Sequence, residues 1–126
     1  MSTIRVDNFG PSAGGTTYSA SGVAKAWVNI SGTGTAAIRD SLNVASLTDD
    51  GTGKYSANLS SAMSDTNYSS VADGAYDTGD GAGTVNHALR RLALSATSVK
   101  VRCYSPTDNA FYDSQVITAA TFGDLA

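Results

Sequence analysis

Apolar and polar residues alternate along much of this chain with the two-residue period of a pleated strand. Residues 23–30 (VAKAWVNI) set the pattern: Ala24, Ala26, Val28 and Ile30 share one face, and Lys25, Trp27 and Asn29 the other. Residues 54–59 repeat it, with Tyr55, Ala57 and Leu59 opposite Lys54, Ser56 and Asn58. So do residues 98–104, with Val99, Val101 and Cys103 opposite Lys100, Arg102 and Tyr104. Less regular extended runs cover 36–44, 68–72 and 115–122. Residues 85–95 fit two periods, since Val85, Leu89 and Leu92 have helical spacing while Leu92 and Leu94 have strand spacing; the β surroundings favour a strand.

Glycine-rich turns separate these runs. SGTGT at 31–35 is one, and DDGTG at 49–53 carries the Asp-Gly pair typical of a hairpin between two extended segments. Residues 60–67 form a polar connection around Met63, residues 73–84 (DGAYDTGDGAGT) a long loop, and residues 105–113 a turn-rich loop. The result is about seven or eight short strands, the spacing of an all-β antiparallel sandwich or jelly-roll-like domain over residues 23–126. Residues 1–22 stand apart. TIRVD at 3–7 alternates like a short strand, and 9–22 (FGPSAGGTTYSASG) has too few apolar side chains to pack a core. This segment reads as an N-terminal arm, either a loose leader or an anchor on a neighbour.

Composition sharpens the class. Ala, Gly, Ser and Thr supply 63 of the 126 residues, so the core is thin in apolar area. A chain of this length buries only about two-thirds of its unfolded surface. Together these point to stability gained partly by association with identical chains. All eleven acidic residues are Asp, which favours turns and caps, and the helix-forming Glu is absent.

The net charge of −3, with eight Lys and Arg, argues against nucleic acid as a partner, which needs concentrated positive charge. No apolar run approaches the roughly 20 residues of a helical membrane span, and the N-terminus has no apolar segment of a signal peptide. Cys103 is the single cysteine, so no intrachain disulfide forms, and synthesis in a reducing cytoplasm is expected.

Candidate chemistry is sparse. Asp49 and Asp50, and Asp77, Asp80 and Gly81, cluster carboxylates in loops, but without Glu or the alternate spacing of a calcium loop, and Asp-Gly is ordinary turn vocabulary. His87 is the only histidine, and no G-x-S-x-G elbow occurs. No catalytic residue, metal ligand or cofactor site is expected, and Cys103 reads as a small buried hydrophobe. Aromatics in the loops are better candidates for contact: Tyr76, Phe111 and Tyr112 either project as rigid recognition groups or plug the end of the sandwich. Trp27, on the more polar face of its strand, either sits under a loop, the favoured reading, or packs against a neighbouring strand or subunit.

AKAWVN (24–29), GTGT (32–35), IRDSLNV (38–44) and TDDGTGKY (48–55) together resemble a segment of short virion proteins of tailed bacteriophages, many from marine and cyanobacterial hosts. The ending VITAATFGD (116–124) and the opening TIRVDN are similar to the ends of such proteins. The resemblance covers the middle third best, and residues 68–112 carry little of it. It implies a structural, non-enzymatic protein on the virion, made in the host cytoplasm and commonly trimeric. Its partners would be copies of itself and the major capsid or a tail protein. The chain is too short for a fibre shaft, so a decoration protein on the head (a knob or head fibre) is expected first. A tail-fibre piece, or a module binding receptor or glycan on the host surface, is the alternative.

Overall fold

The computed structural model describes residues 8–9, 18–19, 22–75, 88–91, 95–106 and 109–126. The strands among them are β1 (Asn8–Phe9), β2 (Tyr18–Ser19), β3 (Ala26–Ser31), β4 (Ala37–Leu42), β5 (Val44–Gly51), β6 (Lys54–Leu59), β7 (Ser69–Ala75), β8 (Ala88–Arg91), β9 (Ser98–Ser105), β10 (Ala110–Phe111) and β11 (Val116–Phe122). Strands β4-β3-β11-β7 form one antiparallel sheet. Strands β10-β9-β6-β5 form the other, with β8 on the free side of β9. The protein is an all-β sandwich. Within residues 1–22, β1 and β2 pair with each other as a separate two-stranded sheet; the strand expected over 3–7 lies outside the described residues.

The two-residue alternation decides which side chains meet between the sheets. Val28 and Ile30 from β3, and Ile117 and Ala119 from β11, face Tyr55 and Ala57 from β6 and Val99, Val101 and Cys103 from β9. These are the inward sets expected from the sequence for residues 23–30, 54–59 and 98–104. Beside them Thr121, fully buried, reaches the Ser70 hydroxyl at 3.0 Å, so a polar core position is paired across β11 and β7. Met63 and Tyr68 are buried outside this cluster; the Tyr68 hydroxyl donates to the Ser95 carbonyl at 2.9 Å.

Three boundaries differ from expectation. The run over 36–44 is not one strand: it breaks at Asn43, whose φ of 58° turns the chain so that β4 stays in one sheet and β5 enters the other. Asn tolerates this left-handed conformation better than most residues. Its amide here clamps the connection after β6, donating to the Ser61 carbonyl at 3.0 Å and accepting from the Ser61 N–H at 2.7 Å. The loop expected from residue 73 begins later, because β7 runs on to Ala75 in unbroken register with β11. The loop over 105–113 contains a two-residue strand, β10, that pairs back onto Tyr104 and Ser105.

With a core this small, each large aliphatic residue counts. Ile30→Ala is expected to destabilise the fold by about 2–5 kcal/mol, the range for truncating a buried isoleucine. Denaturant titration checks this, and a loss under about 1 kcal/mol would mean that Ile30 is not a core keystone.

Candidate functional site

Two places on the sandwich concentrate chemistry. The first is a buried polar lock at one end of the core. Tyr55 follows the hairpin turn of 51–53 on the inward face of β6 and is fully buried. Its hydroxyl lies 2.7 Å from Asp113 Oδ1 and 3.1 Å from the Gly32 carbonyl. A phenol has one proton, and the carboxylate, closer and charged, is the stronger acceptor. The same Asp113 oxygen accepts the Gly53 N–H at 2.7 Å. Backbone bonds complete the lock: Gly32 N–H to Ser114 carbonyl at 2.9 Å, Cys103 N–H to Gly53 carbonyl at 2.8 Å, and Tyr112 N–H to Cys103 carbonyl at 3.1 Å.

Both glycines are required here by close approach. A Cβ on Gly53 would stand 2.7 Å from the Tyr112 carbonyl oxygen, and its φ is +64°. A Cβ on Gly32 would stand 2.5 Å from the Tyr55 hydroxyl. The SGTGT and DDGTG turns, 21 residues apart at these glycines, therefore meet the 112–114 segment around one phenol.

Electrostatics mark the lock as structural. Burial, then the hydrogen bond to Asp113 and its negative charge, push the Tyr55 phenol far above its ordinary 10.0. Burial likewise raises the Cys103 thiol above 9.0, although a hydrogen bond with Ser114 opposes this. A protonated, buried thiol is a poor nucleophile.

The carboxylates of the hairpin are occupied too. Asp49 Oδ1 accepts the Gly51 N–H at 2.9 Å; Asp50 Oδ2 accepts the Ser56 hydroxyl at 2.6 Å and pairs with Arg102 at 3.3 Å. Among the described residues no group of three or more His, Cys, Asp or Glu is placed to hold a metal ion. Asp77, Asp80, Gly81 and His87 lie outside the described residues.

The second place is the outward face of the β4-β3-β11-β7 sheet. Register sets Leu42, Trp27, Ala120 and Val71 side by side in one row across all four strands. The next row carries Asp40, Asn29, Thr118 and Asp73. Leu42 and Val71 are 48% and 59% exposed. Between the rows lies a groove of about 370 Å³ lined by Trp27, Asn29, Val71, Asp73, Thr118 and Ala120. Asn29 Oδ1 is buried without a hydrogen-bond partner. Trp27 is thus half-buried on an outer sheet surface and not a core residue beneath a loop, because its strand gives the inward positions to Ala26, Val28 and Ile30.

The loop aromatics fare differently from one another. Tyr76 lies outside the described residues. Phe111 is half-buried, its ring 5.4 Å from that of Tyr104 in an edge-on arrangement and 4.5 Å beneath the Lys54 ammonium. Tyr112 is half-buried beside the lock. The structure brings Phe111 and Tyr112 together at the β9–β10 corner, away from the groove. The sequence reading missed Asp113 and the lock; its only signal was a tyrosine on the apolar face of β6. No family model, curated protein or solved structure matches the chain.

Tyr55→Phe is expected to cost about 1–3 kcal/mol near neutral pH, as for a broken buried hydrogen bond. Tyr55 and Cys103 titrate higher folded than unfolded, so their stability contribution is complete below the unfolded values, 10.0 for the phenol and 9.0 for the thiol, and fades as pH rises beyond them. The gap between wild type and Tyr55→Phe should therefore narrow between about pH 9 and pH 11, because the variant has no phenol to ionise when unfolded. Denaturant curves across that window check it; a constant gap contradicts a protonated, buried Tyr55.

Proposed function

We propose that this protein is a structural component of a bacteriophage virion, a decoration protein on the capsid surface that assembles as a homotrimer. The observation that carries the reading is where the phage-like segments fall in the fold. AKAWVN contains most of β3, IRDSLNV spans β4 and the Asn43 corner, TDDGTGKY spans the β5–β6 turn, and VITAATFGD contains β11, the neighbour of β3. GTGT and TDDGTGKY also supply Gly32, Gly53 and Tyr55 of the lock. The segments thus fall on one connected piece of the architecture.

The role is one of architecture and contact. Residues 1–22 anchor the protein to the shell, and the sandwich projects from it. The composition, half of it Ala, Gly, Ser and Thr, supports the homotrimer, since a sandwich with little buried apolar area gains stability by covering more of its surface.

Purified full-length protein should bind saturably to capsids that lack it and appear as regular projections on the head. Deleting residues 1–22 should abolish that binding. Density at the tail instead, or a truncated protein that still decorates heads normally, contradicts the assignment. Release of reducing sugar from host-surface polysaccharide would point to an enzyme.

A further inference from the structure

We propose that the groove on the outward face of the β4-β3-β11-β7 sheet receives a lysine side chain from a partner protein, with the ammonium at the Asn29–Asp73 end and the methylene stem over the Trp27–Val71 end. This contact is separate from the capsid assignment and from the homotrimer, and rests on neither.

The groove runs along the strands and its two ends differ. Strand β11 is its floor, with Trp27 and Asn29 of β3 on one side and Val71 and Asp73 of β7 on the other. One end is the apolar row of Trp27, Ala120 and Val71. Ala120 is the small member of that row, so a slot opens between the indole and Val71. Two residues along each strand come Asn29, Thr118 and Asp73.

All three of these side chains offer acceptors. Asn29 Oδ1 is buried without a partner. Asp73 Oδ1 accepts the Gly74 N–H at 2.8 Å, and among the described residues the carboxylate forms no ion pair. Thr118 directs its hydroxyl proton at the Asp73 carbonyl, 3.4 Å away, which leaves its oxygen as an acceptor. Buried polar atoms are normally paired, and acceptors that converge on one space call for a donor.

Charge narrows the donor to a cation. Asp40 stands in the same row as Asp73, on the far side of Asn29. The described cations on or beside these strands are engaged with their own chain: Arg39 donates to the Gln115 carbonyl at 2.8 Å, and Lys25 has an intrachain partner. The polar end of the groove is therefore anionic. Hydrogen bonds from a charged donor to a carboxylate are stronger than those from a neutral hydroxyl.

Shape narrows it to lysine. A quaternary ammonium has no N–H for Asn29, and a guanidinium is a rigid planar fork, whereas a primary ammonium is a compact charge with three donors on a flexible stem. Rows two residues apart on a strand are separated by about 7 Å, which a four-carbon stem spans. Lysine lays such stems along apolar surface and keeps the head in polar surroundings, and the indole of Trp27 supplies that surface here. The apolar row also continues past the groove to Leu42, and Leu42 and Val71 are both exposed. A free amine would fill the slot and leave Leu42 in water. A protein that presents its lysine among apolar side chains covers the whole row.

Trp27 is the only tryptophan, so its emission reports from the wall of the groove. The full-length protein is titrated with acetyl-Leu-Lys-Leu-amide, with the matching Gln peptide, and with n-butylammonium chloride, all at one ionic strength. The lysine peptide should change the emission saturably and bind about tenfold or more tightly than either of the others. Asp73→Asn keeps an oxygen for the Gly74 N–H, so it should retain the wild-type circular dichroism while binding the lysine peptide about tenfold more weakly. Asp40→Asn, outside the groove, should weaken it by about threefold or less.

An emission that the lysine peptide leaves unchanged, or equal binding of the Gln peptide, overturns the cation site. Butylammonium binding as tightly as the peptide overturns a protein as the source. Equal losses in Asp40→Asn and Asp73→Asn overturn the placement, because diffuse attraction then suffices. An emission that shifts with the protein's own concentration, without peptide, gives the face to a second copy and overturns the proposal too.

Discussion

The core between the two sheets is built from alanine, valine, isoleucine, a cysteine and one tyrosine, with no leucine, phenylalanine or tryptophan fully buried in it among the described residues, and the rest of the structure answers to that constraint. Ala26, Ala57, Ala119 and Cys103 fill positions that in a richer sandwich would hold leucine or phenylalanine. Apolar stabilisation scales with buried area, so the few large residues, Ile30, Ile117 and Tyr55, carry a disproportionate share. Among the described residues Tyr55 is the bulkiest side chain buried completely, and it carries a polar end. Where it ends, the fold cannot rely on hydrophobic packing alone and uses hydrogen bonds.

That is the physical meaning of the lock. The phenol needs a partner once buried, Asp113 supplies it, and Asp113 also receives the Gly53 N–H. Gly32 lets its turn close on the Tyr55 ring, and Gly53 lets the β5–β6 turn close on the Cys103 and Tyr112 backbone, at distances a Cβ would forbid. One carboxylate thereby joins the β5–β6 turn and the Tyr55 phenol to the segment leading into β11, and the Gly32 N–H, donating to the Ser114 carbonyl, joins the turn after β3 to the same segment. The lock ties the two sheets at one end, and the paired Thr121 and Ser70 hydroxyls add a polar contact between β11 and β7.

How far this was legible in the sequence depends on the range of the interaction. The strands β3, β6 and β9, with their inward and outward faces, follow from alternation because the pleat is local and its period is fixed. The β5–β6 turn follows from Asp-Gly chemistry. The corner at Asn43 was hidden because extended residues flank it on both sides; only its φ and its bonds to Ser61 reveal the change of sheet. The lock was hidden because Gly32, Gly53 and Asp113 are far apart in sequence, and their glycines look like ordinary turn residues. Trp27 was placed on the right face of its strand, but which side of a sheet is covered is a property of the whole sandwich, so its outward position became visible only with the register of four strands.

The inward and outward sides of the β4-β3-β11-β7 sheet are linked. The side with Val28, Ile30, Ile117 and Ala119 is lean, while the side with Trp27, Leu42 and Val71 keeps apolar area facing solvent. Association that covers apolar surface supplies stability that the lean side cannot. The most direct measurement is the thermal midpoint of the wild-type protein as a function of its own concentration. If folding and association are coupled, the midpoint rises steadily over about a hundredfold increase in concentration. A midpoint that does not move would mean that the lone sandwich is sufficient, and would contradict the account.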